Sequence, residues 1–222
     1  IGPNRPFFDL AQQLSAQQIE VLRFDKRSYL YAEELAEQKD FTIYDDIIDD
    51  AVAAFYYLVG RSEVDPQQIY FAAFGVSGQL IPRLEERLPQ ASGYFMLNTT
   101  ARTIEDTMLS KYLYTVSLEN ELTAENEALL VSHLEKTAEN IRTLTADSSL
   151  TADELLGAPA SYWLDLQHYE PLNAIKSVQK PLLVIQGGRD FEIGQDDFEA
   201  WQAALSANPL AQYQYFGNLN HL

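Results

Sequence analysis

The sequence predicts an α/β fold with a mostly parallel sheet and helices on both faces. Short apolar runs alternate with segments of helical spacing of about 10 to 16 residues, and turn-forming residues separate the two kinds of segment. This alternation is typical of βαβ units, whose helices cover both faces of a parallel sheet. We expect strands at residues 69–74, 93–97, 181–186 and 213–216.

Four segments have the apolar spacing of helices. The clearest is 44–59, because its early aspartates complement a helix N-terminus and Gly60 follows as a natural end. Its predicted apolar face consists of Ile47, Ile48, Val52, Phe55 and Leu58. Further helices are expected at 7–17, 79–88 and 196–205, with Pro82 as an internal irregularity of the third of these four helices.

One stretch interrupts the alternation. Residues 102 to about 156 are acidic, rich in Leu and Glu, and contain no strand candidate. We interpret residues 102–160 as a helical cap inserted between two parts of one α/β core, which are formed by residues 1–101 and 161–222. A cap above the carboxyl edge of the sheet would cover a site there. The alternative is a helical excursion that serves only stability or dimerisation.

The composition argues against several classes of function. A formal net charge of −18 leaves no basic surface for nucleic acid, and it disfavours anionic membranes and strongly anionic substrates. The absence of cysteine excludes disulfides and thiolate chemistry. No apolar run approaches the roughly 20 residues of a membrane-spanning helix. We expect a soluble protein with no transmembrane segment and leave its oligomeric state and compartment open, with the cytoplasm favoured.

The residues that follow each predicted strand suggest a catalytic site, because ligands of open α/β sheets bind at the carboxyl ends of the strands. GVSG follows the strand at 69–74, GGRD with Asp190 follows 181–186, and GNLNH with His221 follows 213–216. A small-residue turn, an acid and a histidine in this order match a nucleophile–acid–histidine triad. In such a triad the histidine accepts the nucleophile's proton and the carboxylate orients the ring.

The acid and the histidine also have structural interpretations. His221 could be a loop histidine, and Asp190 could cap the next helix, although Asp196 is the better candidate for that cap. Of the other histidines, His133 is expected on the solvated surface of the insertion, and His168 is a weaker catalytic candidate. No carboxylate pair has a spacing that indicates a metal or glycosidase site, so we expect neither a metal nor a cofactor.

The turn after the first predicted strand, within FAAFGVSGQL, permits two registers. Read loosely, Gly75-Val76-Ser77 is the front half of a G-x-S-x-G nucleophile elbow in which Gln79 replaces the last glycine, and Ser77 is the nucleophile. Counted from the strand, the nucleophile position is Gly75, which has no side chain. Glycine would relieve the backbone strain of such a turn, which costs other residues about 1–3 kcal/mol.

At these residues, and almost from end to end, the chain resembles the bacterial esterase-like α/β hydrolases. The resemblance lies in IGPNRPFFDLAQQL, IEVLRFDKR, VDPQQIYFAAFGVSG, GAPASYWLDL, PLLVIQGGRDF and GNLNHL. It implies an α/β-hydrolase fold with a helical cap, one catalytic serine and no metal, and its acid and histidine positions fall on Asp190 and His221. It also implies strands and an oxyanion loop before Ile1 and a final helix after His221, which we expect to be absent from this chain.

The resemblance also aligns the elbow. Without gaps, the family's Gly-His-Ser-Leu-Gly-Gly falls on residues 73–78, which read AFGVSG. Gly75 then takes the serine position, and the N–H of Val76 contributes to the oxyanion hole. Ser77 takes the position of a glycine and remains the alternative nucleophile.

We therefore expect a carboxylesterase-type α/β hydrolase for small acyl esters that is inactive or strongly impaired, because Gly75 stands at the nucleophile position. The expected partner is a small-molecule ester or acyl ligand. Two alternatives are an active serine esterase that uses Ser77 and a non-catalytic ligand-binding module on the same fold. A third is an enzyme in which His221 activates water directly.

Overall fold

Four parallel strands form the centre of the computed structural model, which describes residues 5–36, 38–119 and 122–221. The sheet has the order β1-β2-β3-β4. The strands are β1 (Tyr70–Phe74), β2 (Gly93–Leu97), β3 (Leu182–Gly187) and β4 (Ala211–Phe216). All three neighbouring pairs are parallel, so the predicted parallel sheet is confirmed. The carboxyl ends of the four strands consequently lie along one edge.

Ten α-helices are described around these strands, together with a π-helical turn and three short 3-10 helices. The helices are α1 (Pro6–Ser15), α2 (Arg27–Leu30), α3 (Ala32–Ala36), α4 (Asp49–Val59), α5 (Ile81–Arg87), α6 (Ile104–Ser117), α7 (Ala124–Arg142), α8 (Ala160–Leu166), α9 (Pro171–Ala174) and α10 (Gln195–Ala204). Within the described ranges, none of them is both long and apolar enough to cross a membrane.

The predicted helix at 44–59 is confirmed as a π-helical turn, Tyr44–Ile48, that continues into α4. Ile48 and Phe55 are buried in the core, and Gly60 is the C-terminal cap, as the spacing predicts. The aspartates of the first turns also bind the preceding segment, since the buried carboxylate of Asp46 accepts a hydrogen bond from Lys26 at 2.6 Å.

Two details of the predicted helices are wrong. Pro82 is not an internal irregularity, because α5 begins only at Ile81. Proline is favourable in a first helical turn, where its missing N–H would have no helical partner. The preceding residues, Gly75–Leu80, form a 3-10 helix instead.

The predicted cap of α10 is also wrong. The N-cap is Gly194, and its N–H donates to the carboxylate of Asp197 at 3.1 Å, whereas Asp196 is exposed in the first turn. A carboxylate at the third helical position can reach back to the N-cap backbone, which explains why Asp197 takes this role. Asp190 lies before this helix and has different partners.

The stretch between β2 and β3 contains α6 and α7, and its described residues contain no strand. The two helices pack against each other, and Arg142 of α7 forms an ion pair with Asp106 of α6 at 2.6 Å. Thr103 and Thr123 cap the two helices through their side chains. This helical pair follows β2 directly, on the chain that leaves the carboxyl edge of the sheet.

The hydrophobic core lies between the sheet and its surrounding helices. Two tryptophans are fully buried in it, Trp163 of α8 and Trp201 of α10. The indole N–H of Trp201 donates to the carbonyl oxygen of Thr99 at 2.8 Å, which fixes α10 to the segment after β2. Because buried indole N–H groups need an acceptor, this contact also satisfies a polar group in the core.

Candidate active site

The chain turns sharply at the carboxyl end of β1. The strand ends at Phe74, and the next residue, Gly75, has a φ of +61°. This left-handed conformation is unfavourable for residues with a Cβ atom and readily adopted by glycine. A Cβ atom placed on Gly75 would meet no heavy atom within 4 Å. The position therefore has room for a side chain, although its backbone favours glycine.

Ser77 lies in a different environment, two residues further along the 3-10 helix. It is partly buried. Among the described non-glycine residues, a positive φ occurs only at Gln18, Asn98, Leu156 and His168, so Ser77 does not have the left-handed backbone found at Gly75. The N–H of Val76 lies in the first turn of this short helix, where backbone N–H groups lack helical partners.

The glycine that permits close packing in this turn is Gly78. A Cβ atom at Gly78 would lie 2.2 Å from Oγ1 of Thr99, which is buried directly after β2. Gln79, by contrast, has a buried side chain whose amide donates to the carbonyl oxygens of Thr100 and Arg102 at 3.0 and 2.5 Å. Gly78 is therefore the residue of this turn that close packing requires to be glycine, whereas the side chain of Gln79 has space and hydrogen-bond partners.

Tyr169 contacts the elbow turn, which is the 3-10 helix Gly75–Leu80. Its hydroxyl donates to the carbonyl oxygen of Gln79 at 2.5 Å. Burial raises the pKa of the Tyr169 phenol above its ordinary value, so this hydroxyl keeps its proton and remains a donor. The guanidinium of Arg83 lies 4.5 Å from the centre of the Tyr169 ring and forms an ion pair with Asp165 at 2.5 Å.

Asp190 lies in the loop after β3 with its side chain fully buried. One carboxylate oxygen accepts the backbone N–H groups of Glu192 and Ile193 at 2.8 and 3.0 Å. The other oxygen lies 2.7 Å from Nδ1 of His221. The local loop thus fixes the carboxylate, and the carboxylate in turn fixes the orientation of the imidazole.

His221 lies in the loop after β4, with a side chain that is 11% exposed. The centre of its ring is 4.7 Å from that of Phe74, the last residue of β1. With Nδ1 directed at Asp190, the remaining ring nitrogen, Nε2, is the one free to exchange a proton with a ligand. The structure therefore brings Asp190 and His221 together and places the ring against the residue that precedes Gly75.

Asn98 supports the histidine loop, which consists of residues 217–221 after β4, and the sequence interpretation did not identify it. Its amide donates to the carbonyl oxygens of Asn220 and His221 at 3.3 and 3.0 Å, and its carbonyl oxygen accepts the N–H of Gly187 at 2.9 Å. Asn98 follows β2 directly and has a φ of 42°. The rule applied to the other strands, to look just past each carboxyl end, would have found it.

Glu192 is a second residue that the sequence interpretation missed. Its carboxylate lies 3.7 Å from Nε2 of His221 and 3.0 Å from the ammonium of Lys111 on α6. The neighbouring Phe191 stacks on Tyr114 of α6 with ring centres 4.6 Å apart. The loop that carries Asp190 is therefore tied to the helical insertion through two successive residues.

A cavity of about 180 Å³ lies at the carboxyl ends of the strands, and His221 is one of its walls. Most of its lining is apolar and comes from α1, the strand ends and the loop after β4, including Phe7, Leu10, Leu97 and Leu219. The cavity can therefore accommodate a small apolar group beside the imidazole.

The other two histidines lie elsewhere. His133 is exposed on α7, as expected. His168 is exposed and borders a separate cavity of about 260 Å³ beside α8. Within the described residues, no group of three or more histidine, aspartate or glutamate side chains is arranged to hold a metal ion.

No protein-family model matches the chain. It is 32% identical to Esterase EstD of Thermotoga maritima over 222 residues, which are 100% of this chain and 50% of the esterase. The similarity to this esterase extends over the whole chain. The chain spans half the length of this relative.

Two solved structures are similar to the chain in fold. The lipase/esterase from Lactobacillus plantarum has a TM-score of 0.55 and 12% identity, with coverage of 97% of this chain and 71% of that one. The esterase domain of a Rhodothermus marinus protein has a TM-score of 0.54, 12% identity and the same coverages, 97% and 71%. The predicted α/β-hydrolase fold is confirmed.

Proposed function

We propose that this chain carries the elbow, acid and histidine of a carboxylesterase-type site for small acyl esters, and that ester hydrolysis is absent or strongly impaired because Gly75 occupies the nucleophile position. Asp190 would be the acid, His221 the base, and the N–H of Val76 part of the oxyanion hole. Loss of the nucleophile from a comparable triad costs about 10⁶ in turnover.

The observation that carries this proposal is the geometry of Gly75. It lies at the end of β1 with a φ of +61° and with space for a side chain. Nucleophile elbows hold their catalytic residue on such a strained strand-to-helix turn. Ser77, in a 3-10 helix and without a positive φ, lacks this feature.

The contact between Asp190 and His221 supports the roles of acid and base. A buried carboxylate at 2.7 Å from Nδ1 leaves Nε2 for proton transfer. The cavity of about 180 Å³ beside His221 would hold the acyl group of an ester or a small acyl ligand. A chain without the nucleophile could therefore still bind such a ligand, which is the non-catalytic alternative.

Residues 102–160 would act as the cap of this site. The support comes from α6, whose Lys111 and Tyr114 contact Glu192 and Phe191 in the loop that carries Asp190. A helical pair held at this loop could limit access of water to the imidazole.

Hydrolysis of p-nitrophenyl acetate tests the proposed function. We expect the wild type and Gly75→Ala to remain at the background rate, Gly75→Ser to gain activity, and His221→Gln to abolish that gain in the Gly75→Ser background. Gly75→Ala is the matched control, because it adds a Cβ atom at the same backbone without a hydroxyl. Wild-type hydrolysis that Ser77→Ala abolishes would instead establish Ser77 as the nucleophile.

A further inference from the structure

The acid loop, residues 189–194, brings a second carboxylate to His221. Oε2 of Glu192 lies 3.7 Å from Nε2 of His221, whereas Asp190 lies 2.7 Å from Nδ1. The side chains of Glu192 and His221 are only 12% and 11% exposed. In such a partly dehydrated site, the attraction between a carboxylate and a neighbouring polar group is stronger than it would be in water.

The backbone of Glu192 is fixed on both sides. Its N–H donates to Asp190 at 2.8 Å, and its carbonyl oxygen accepts a hydrogen bond from Arg102 at 2.6 Å. With its backbone fixed, Glu192 can change its contacts only by a rotation of its side chain. Its two cationic or proton-bearing neighbours are the ammonium of Lys111, at 3.0 Å from Oε1, and the imidazole of His221.

We propose that Glu192 is a positioning residue that holds the His221 ring at Nε2, and that Lys111 of α6 weakens this contact by drawing the carboxylate towards the helical insertion. The carboxylate of Glu192 faces Nε2 at 3.7 Å, while that of Asp190 contacts Nδ1 at 2.7 Å. Any movement of α6 then changes how freely Nε2 meets a ligand. The inference rests on the proposed function only in that His221 belongs to the site.

Acylation of histidine by diethyl pyrocarbonate tests this inference, because the reagent attacks an unprotonated and accessible imidazole nitrogen. The rate at each histidine is followed by peptide mass spectrometry in the otherwise wild-type chain. His133 and His168 are exposed and serve as internal references. We expect Glu192→Gln to accelerate modification of His221 about fivefold, the factor that corresponds to the loss of a modest polar contact at Nε2.

Lys111→Met is the informative partner variant. Without Lys111, the carboxylate of Glu192 has His221 as its remaining partner, so we expect modification of His221 to become slower. In the double variant, His221 should be modified as fast as it is in Glu192→Gln alone. Rates at His133 and His168 should not change, and the far-ultraviolet circular dichroism should stay that of the wild type.

The opposite signs separate a positioning role from a merely structural one. If the two residues only stabilised the loop, both variants would loosen it and both would accelerate modification of His221, which would overturn the inference. An unchanged rate in Glu192→Gln would also overturn it. Because no ester is turned over in this measurement, its failure is distinguishable from failure of the proposed function.

Discussion

The Nδ1 atom of His221 lies 2.7 Å from Oδ2 of Asp190, although 31 positions separate the two residues in the chain. Parallel pairing of β3 and β4 brings the two loops to the same edge of the sheet. Each partner is then fixed locally, Asp190 by two backbone N–H groups and the His221 backbone by Asn98. Asp190 and His221 are therefore held together, and the imidazole lies against Phe74, the residue that precedes Gly75.

The backbone of Gly75 predicts the cost of adding a side chain there. Gly75→Ala should lower the free energy of unfolding by about 1–2 kcal/mol, because its φ is +61° and the left-handed region disfavours residues with a Cβ atom. No steric clash should add to this, since nothing lies within 4 Å of the new atom. Urea denaturation measures the change.

Gly60→Ala is the matched control for this prediction. Gly60 caps α4 with a φ of −76°, which any residue adopts, and a Cβ atom there would be at ordinary contact distance. We expect Gly60→Ala to leave the stability unchanged or to raise it by up to about 1 kcal/mol. Equal effects at the two glycines would contradict the assignment of strain to Gly75.

Gly78→Ala should be destabilising for a steric reason. The new Cβ atom would lie 2.2 Å from Oγ1 and 2.5 Å from Cγ2 of Thr99, so the elbow turn and the segment after β2 must move apart. We expect a loss of about 1–3 kcal/mol, as for other overpacked sites. Thr99→Ala removes both atoms, and the double variant should recover part of the loss. Additive effects of the two substitutions in urea denaturation would contradict this contact.

Asn98→Asp should loosen the histidine loop while leaving β3 intact. Aspartate keeps an oxygen that accepts the N–H of Gly187, but its second oxygen would face the carbonyl oxygens of Asn220 and His221 in place of a donor. We expect a loss of about 2–3 kcal/mol. Hydrogen exchange should accelerate in residues 217–221 and stay slow at Gly187. Hydrogen exchange that is as slow in residues 217–221 of the variant as in the wild type would show that Asn98 does not hold the loop.

Glu85 on α5 predicts a pH dependence of stability. Burial raises the pKa of its carboxyl above the ordinary value, and Lys180 and a backbone hydrogen bond from Gln179 only partly offset this. The folded state therefore holds the proton more tightly than the unfolded state, and stability falls as pH rises from the ordinary pKa through the raised one. Glu85→Gln, which stays neutral, should gain stability relative to the wild type over this interval. A difference that does not vary between acidic and neutral pH in urea denaturation would contradict the prediction.

The strands were predictable because each is rich in apolar or aromatic residues and is followed by glycine or asparagine. Only β4 begins earlier than its apolar pattern indicates, since it starts with Ala211 and Gln212, which have no strong strand preference. The position of Pro82 within its helix was predicted wrongly because a 3-10 helix leads directly into α5. The spacing of apolar residues does not show where one helix ends and the other begins.

The candidate site was predictable where a residue type identifies a role. Asp190 and His221 have such types and follow strands, so the sequence places them together. Asn98 and Glu192 stand out only by their contacts with the backbone of His221 and with its Nε2, and an isolated asparagine or glutamate in a sequence carries no sign of such contacts. The positive φ of Gly75 likewise depends on how the turn folds, although a glycine directly after a strand suggests such a backbone.

The central claim is that the nucleophile position of this fold is Gly75 and not Ser77. Treatment with a fluorophosphonate, followed by peptide mass spectrometry, tests it most directly, because the reagent forms a covalent bond only with an activated serine. We predict that the wild type stays unlabelled at Ser77 and that Gly75→Ser is labelled at the introduced serine in a manner that requires His221. Labelling of the wild type at Ser77, lost in Ser77→Ala, would contradict the claim.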